Sequence, residues 1–170
     1  GGGDSSLLTT TPDTAVGGNG FDWITYTTGT YGLGKTGVNA DLSLGARAPG
    51  DLVQAAMDIF PDGDVEGLSG GTGNDTLAGD LRTTLVNPVG TNDTLDATGL
   101  AKIAGLSSLV SLGSNGFPFN GRNGNIILGG AGSDIITGRS GNDVIDGDAS
   151  LVVSLQHTCS GPATTASLAA

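Results

Sequence analysis

The sequence predicts an all-β fold: a solenoid of stacked coils made from nine-residue repeats, with irregular insertions. Three observations predict it. Glycine makes up 32 of 170 residues and aromatics only 4%, too few rings for a conventional core and a backbone that loses much entropy on ordering. Acidic residues number 17 against 6 basic ones, a net charge of −11, and all but Glu66 are aspartate. One pattern recurs: Gly17–Thr25 reads GGNGFDWIT, Gly70–Ala78 reads GGTGNDTLA and Gly129–Thr137 reads GGAGSDIIT. All three fit G-G-x-G-x-D-x-U-x, with U aliphatic.

Each part of the nonapeptide has a physical role. Gly-Gly-x-Gly-x-Asp forms a turn, in which glycines permit positive φ and close backbone approach. The x-U-x that follows is a very short strand whose middle side chain points inward. One such strand buries almost nothing, but stacked strands bury a ladder of Ile, Leu and Val. Two nonapeptides make a full coil, so aspartates two repeats apart become neighbours. Stacked carboxylates beside exposed carbonyls repel unless a cation sits among them, and oxygen-only donors on flexible loops select Ca²⁺ over zinc or copper.

Degenerate copies keep the phase. Stepping back in nines from Asp22 reaches Asp13 and Asp4; around Asp75 lie Glu66, Thr84 and Asp93; around Asp134 lie Asn125 and Asp143, then Val152, where the pattern ends. The inward position is Ile24, Leu77, Val86, Leu95, Ile127, Ile136 and Ile145 in turn. These nonapeptides resemble the RTX, or haemolysin-type calcium-binding, repeats of secreted bacterial proteins. The resemblance implies a parallel β-roll (a β-solenoid) with Ca²⁺ between successive turns on each edge. The run GFDWITY…GVNADLSLG…DGDVEGLSGGTGNDTLAGD is similar to a module of large RTX proteins. GNIILGGAGSDIITGRSGNDVIDGD resembles the repeat region of bacterial animal-type haem peroxidases.

In chain order, residues 1–25 are a degenerate repeat block. Residues 26–60 leave the period; Val38, Ala40, Leu42 and Leu44 alternate with polar residues as a half-buried strand, and Asp51 to Ile59 suits a helical turn. Residues 61–96 form the second block. Residues 97–119 are an insertion in which Leu100, Ile103, Leu106 and Leu109 or Val110 suit a short amphipathic helix, ended by Phe117-Pro118-Phe119. Residues 120–148 form the third block. Residues 149–170 are a closing strand, a cap or a tail. The opening Gly1-Gly2-Gly3, without methionine, is expected of a mature product or an excised piece.

The predicted metal ligands are the in-phase Asp4, Asp13, Asp22, Asp75, Asp93, Asp134, Asp143 and Asn125, with turn carbonyls at Gly18, Gly20, Gly71, Gly73, Gly130, Gly132 and Gly141. Asp75 with Asp93 and Asn125 with Asp143 form pairs one coil apart. Asp134 lacks a carboxylate partner at Val152, so a carbonyl or water completes that site, and Asp22 pairs with Asp4. The alternative for Asp75 is an Asx hydrogen bond capping its own turn. Arg139 replaces a repeat glycine and brings positive charge beside the ions. Trp23, at an outward position, covers a neighbouring element such as the 38–44 strand. His157 and Cys159 are too few soft ligands for a zinc site and read as tail residues.

The acidic charge disfavours nucleic acid and anionic membranes as partners, and no apolar run approaches the ~20 residues of a membrane span. A single His and a single Cys exclude an internal disulfide and a His-rich metal site. The expected function is a calcium-binding structural module, not an enzyme. By resemblance it is secreted by a type I route, folds outside the cell, and joins other chains or domains of a secreted assembly. The competing readings are the non-catalytic repeat part of a haem peroxidase, and an adhesin or surface-layer module. Three or four ions would supply about +6 to +8 and nearly neutralise the chain.

Overall fold

A computed structural model describes residues 14–15, 17, 21–26, 30–31, 35–43, 45–47, 65–81, 97–112, 124–158 and 161–169. Its strands are β1 Trp23–Thr25, β2 Thr30–Tyr31, β3 Lys35–Thr36, β4 Asn39–Asp41, β5 Gly45–Arg47, β6 Gly67–Ser69 and β7 Thr76–Ala78. Helix α1 Ala97–Lys102, strand β8 Ile103–Ala104 and helix α2 Leu106–Leu109 follow. The chain continues with β9 Ile126–Leu128, β10 Ile135–Thr137, β11 Val144–Asp146, β12 Ser150–Thr158 and β13 Gly161–Ala169.

The repeats build two facing sheets. The first has the order β1-β6-β9-β11, all parallel; the second has β10-β7-β4 parallel, with β5 antiparallel at its edge. Each coil passes from the first sheet to the second: β1 to β4, β6 to β7, β9 to β10, then β11. Ile145 pairs with Ile127, so two nonapeptides make one coil. The inward residues Ile24, Ala40, Leu68, Leu77 and Ile127 are buried and cluster with Tyr26, Val38, Leu42 and Val65. A fully buried aliphatic side chain contributes about 1.5–3 kcal/mol, and this ladder supplies what three-residue strands cannot supply singly. The alternating 38–42 segment is part of the second sheet, since Ala40 pairs with Leu77 and completes the first coil.

A second core lies outside the first sheet. Ile126 and Leu128, at outward positions, are buried with Leu100, Leu106, Val110, Ala149 and Leu151, and Trp23 packs against them. Trp23 therefore covers the 97–112 insertion rather than the 38–44 strand. Its ring lies over Gly67, its cross-strand partner, where a Cβ would strike the indole. The expected single helix is two short ones, interrupted by β8 and by Gly105 at φ 87°. The tail crosses the first sheet's outer face, where the Leu151 N–H donates to Ser69 Oγ at 3.1 Å and its carbonyl accepts from Thr25 Oγ1. It then forms the β12–β13 antiparallel hairpin, with β13 joining β8. This detour leaves the fourth coil incomplete, and the inward Ile145 is 46% exposed. The Asp51–Ile59 turn and the Phe117-Pro118-Phe119 segment lie outside the described residues.

Candidate metal centre

The turns line the two edges of the paired sheets, and on each edge an oxygen pattern repeats coil by coil. On the first edge, where turns run from the first sheet to the second, Asp75 and Asp134 hold equivalent places. The Asp75 N–H donates to Asp134 Oδ1 at 2.8 Å, across a sequence separation of 59. Asp75 Oδ1 accepts from the Val38 N–H one coil earlier at 2.6 Å, and its Oδ2 accepts from Gly71 N–H in its own turn at 2.9 Å. The second edge repeats the scheme: the Asp22 N–H donates to Glu66 Oε2 at 3.0 Å, and the Asn125 N–H donates to Asp143 Oδ1 at 2.9 Å over a separation of 18. One carboxylate oxygen thus accepts from the preceding coil's backbone, and the other faces the turn.

Beside that second oxygen the first glycine of three turns packs directly against oxygen, a side-chain oxygen of its own turn and a carbonyl of the next coil. A Cβ on Gly129 would lie 2.5 Å from Asp134 Oδ2 and would collide with the Gly147 carbonyl. A Cβ on Gly79 would lie 2.6 Å from Asn125 Oδ1 and collide with the Gly138 carbonyl; Gly70 faces Asp75 Oδ2 and the Gly129 carbonyl in the same way. Asp134 Oδ2 is buried without a hydrogen-bond partner, an arrangement that costs free energy unless something positive meets it. Among the described residues no three His, Cys, Asp or Glu side chains cluster as a metal site; the oxygens that converge at Gly70, Gly79 and Gly129 are in each case one side-chain oxygen and one carbonyl. Hard oxygens with few carboxylates suit Ca²⁺.

The turn backbone is built for close stacking. Gly130 and Gly132 have φ of 98° and 136°, and their missing side chains leave room for the Gly71 and Gly73 carbonyls of the neighbouring coil. Gly73 and Gly141 also have positive φ. Electrostatics match the geometry. Burial pushes the Asp75 carboxyl above its ordinary value, the Asp134 charge adds to the rise, and the Gly71 and Val38 N–H groups oppose it. Burial likewise raises Asp143, with the Asp80 charge adding and the Asn125 N–H opposing.

The predicted set is rearranged in one respect. The place one coil beyond Asp75 is held by Asp134, because β7 pairs with β10; Asp93, expected there, lies outside the described residues. Asp93, Asp4, Asp13, Gly18, Gly20 and Cys159 lie outside the described residues. Asp22 meets Glu66 on the side where the structure describes a neighbour. Asn125 and Asp143 are neighbours, and the Gly147 carbonyl converges with Asp134 Oδ2 at Gly129. His157 lies in β12 opposite Pro162. Sequence reasoning missed Asp80, a buried acid whose Oδ2 accepts from Asn125 Nδ2 at 3.2 Å. Its signal was its position, directly after the in-phase Gly79.

The RTX calcium-binding nonapeptide repeat matches the chain in four copies, over residues 9–25, 68–81 and 119–150. The chain thus carries RTX repeats, and RTX nonapeptide repeats bind Ca²⁺. No curated protein and no solved structure matches it. Among the described residues no helix is long and apolar enough to cross a membrane.

Proposed function

We propose that the chain is a calcium-binding structural module of a secreted bacterial protein, which folds on extracellular Ca²⁺ into a rigid β-roll. The observation that carries this reading is the orphaned, buried Asp134 Oδ2, at one of three turn glycines where a side-chain oxygen and a carbonyl of the next coil converge. Asp75, Asp134 and Asp143, with Asn125 as a neutral donor, hold the ions together with the carbonyls of Gly129, Gly138 and Gly147. Bound calcium supplies positive charge that lets stacked carboxylates stay ionised inside the fold. The role is structural: the ions join coils, and the roll spaces or displays other parts of a secreted assembly. Export of an unfolded chain by a type I route fits this scheme, because calcium outside the cell then drives folding.

Elemental analysis of the chain after dialysis against millimolar Ca²⁺ tests the reading. Several calcium ions per chain are expected, fewer in Asp134→Ala and Asp143→Ala. A chain that retains no calcium would contradict it.

A further inference from the structure

Among the described residues the glycine pattern breaks in the first coil on both edges, with Tyr26 in the place of Gly70 and Leu42 in the place of Gly79, and beside the second of these stands a protein cation. Along each edge the carbonyl of a coil's first turn residue lies over the equivalent residue of the coil before: Gly129 over Gly70, Gly147 over Gly129, and Gly138 over Gly79. By the pairing of Asp41 with Ala78, the Gly79 carbonyl belongs over residue 42. That residue is a leucine buried in the core between the sheets, so the first coil has no glycine position there. Instead Arg139 Nη1 donates to the Gly79 carbonyl at 3.2 Å. The same guanidinium grips the neighbouring Asp41 carboxylate with both terminal nitrogens, Nη1 to Oδ1 at 2.7 Å and Nη2 to Oδ2. Carbonyl and side-chain oxygens are also what converge at the turn glycines elsewhere.

The backbone at Arg139 is held by its turn in an unfavourable left-handed conformation. It has φ 70° at the place where the equivalent Gly130 has 98°, a region that disfavours any residue with a Cβ. The planar fork matches a carboxylate as a lysine would not. The side chains of Arg139 and Asp41 are 25% and 17% exposed, so the pair is only partly screened by solvent. Arg139 follows β10, Gly79 follows β7 and Asp41 ends β4, so one side chain ties three coils.

We propose that Arg139 is a built-in cation standing in for a calcium ion between the first two coils on the second edge. It gives that joint a clasp that does not depend on calcium. The proposal rests on the calcium reading for the other joints. Its test uses full-length Arg139→Gly, Asp41→Asn and their double variant, with the calcium midpoint of folding read by circular dichroism. Arg139→Gly restores the repeat glycine and relieves the left-handed backbone, so a merely tolerated arginine predicts an unchanged or lower midpoint. The clasp predicts a midpoint at least threefold higher in both single variants, and no further rise in the double, because the two residues share one interaction. Arg139→Gln, which keeps an amide but no charge, is expected to raise the midpoint also, and serves if the glycine variant does not fold. An unchanged or lower midpoint, or additive effects, would overturn the clasp. Should the parent chain show no calcium response, the calcium reading falls instead. The clasp is then judged from the melting temperatures of the same chains: a shared, non-additive loss supports it, and no loss or an additive loss overturns it.

Discussion

At Asp134 one carboxylate oxygen accepts a backbone N–H and the other is buried without a partner. Asp134→Asn separates the two demands on this residue. Without metal, the amide removes a charge that opposes Asp75 and gives the buried site a donor toward the Gly147 carbonyl. With calcium, it removes an anionic ligand. The variant is therefore expected to favour the folded state in chelator by about 1–3 kcal/mol relative to the parent, seen as more strand signal there, yet to need more calcium for full folding. Circular dichroism in chelator and through a calcium titration checks the opposed signs. The raised Asp75 and Asp143 give a pH dependence. Their folded-state values exceed the unfolded reference of 3.8. Their contribution to metal-free stability is thus complete below that reference, and is lost as pH rises through the raised values. The metal-free chain should gain strand signal on acidification from neutral pH to about pH 3.5; a loss of signal over that range would contradict this account.

Single turns and strands carry separate consequences. Gly129→Ala drives a methyl group against the Gly147 carbonyl and Asp134 Oδ2, whereas Gly147 has nothing within 4 Å of its missing Cβ. Gly129→Ala should displace those oxygens, weaken calcium binding there and destabilise by about 1–3 kcal/mol. Gly147→Ala should stay within about 0.5 kcal/mol of the parent. Chemical denaturation in saturating calcium compares them. The strands and their inward residues were legible because the nine-residue phase places Ile24, Leu77, Ile127 and Ile136 on one face. The outer core was half legible. Leu100, Leu106 and Val110 showed helical spacing, but what they cover depends on outward residues in distant strands, Trp23, Ile126 and Leu128. Leu106→Ala should cost about 2–5 kcal/mol and shift the emission of Trp23, the only tryptophan, as the insertion loosens from the sheet.

Over the whole molecule, local phase and coil order diverge. The phase assigned Asp93 to Asp75, yet the next coil begins only at β9, so Asp134 takes that place. Counting in nines reads neighbours within an uninterrupted block, as with Asn125 and Asp143. It fails across an insertion, because nothing in the repeat states where the chain rejoins the stack. The Arg139 clasp was hidden for the same reason: Asp41 is 98 residues away. The global balance was legible from composition. A chain of net charge −11, with acids stacked along two edges, folds against its own repulsion, and cations bound only by the folded state shift that equilibrium. The most direct measurement is far-ultraviolet circular dichroism of the full chain in chelator at neutral pH, followed by titration to millimolar Ca²⁺. The account predicts little strand signal in chelator and a cooperative rise with calcium that magnesium does not reproduce. A strand spectrum that is the same in chelator and in calcium would contradict it.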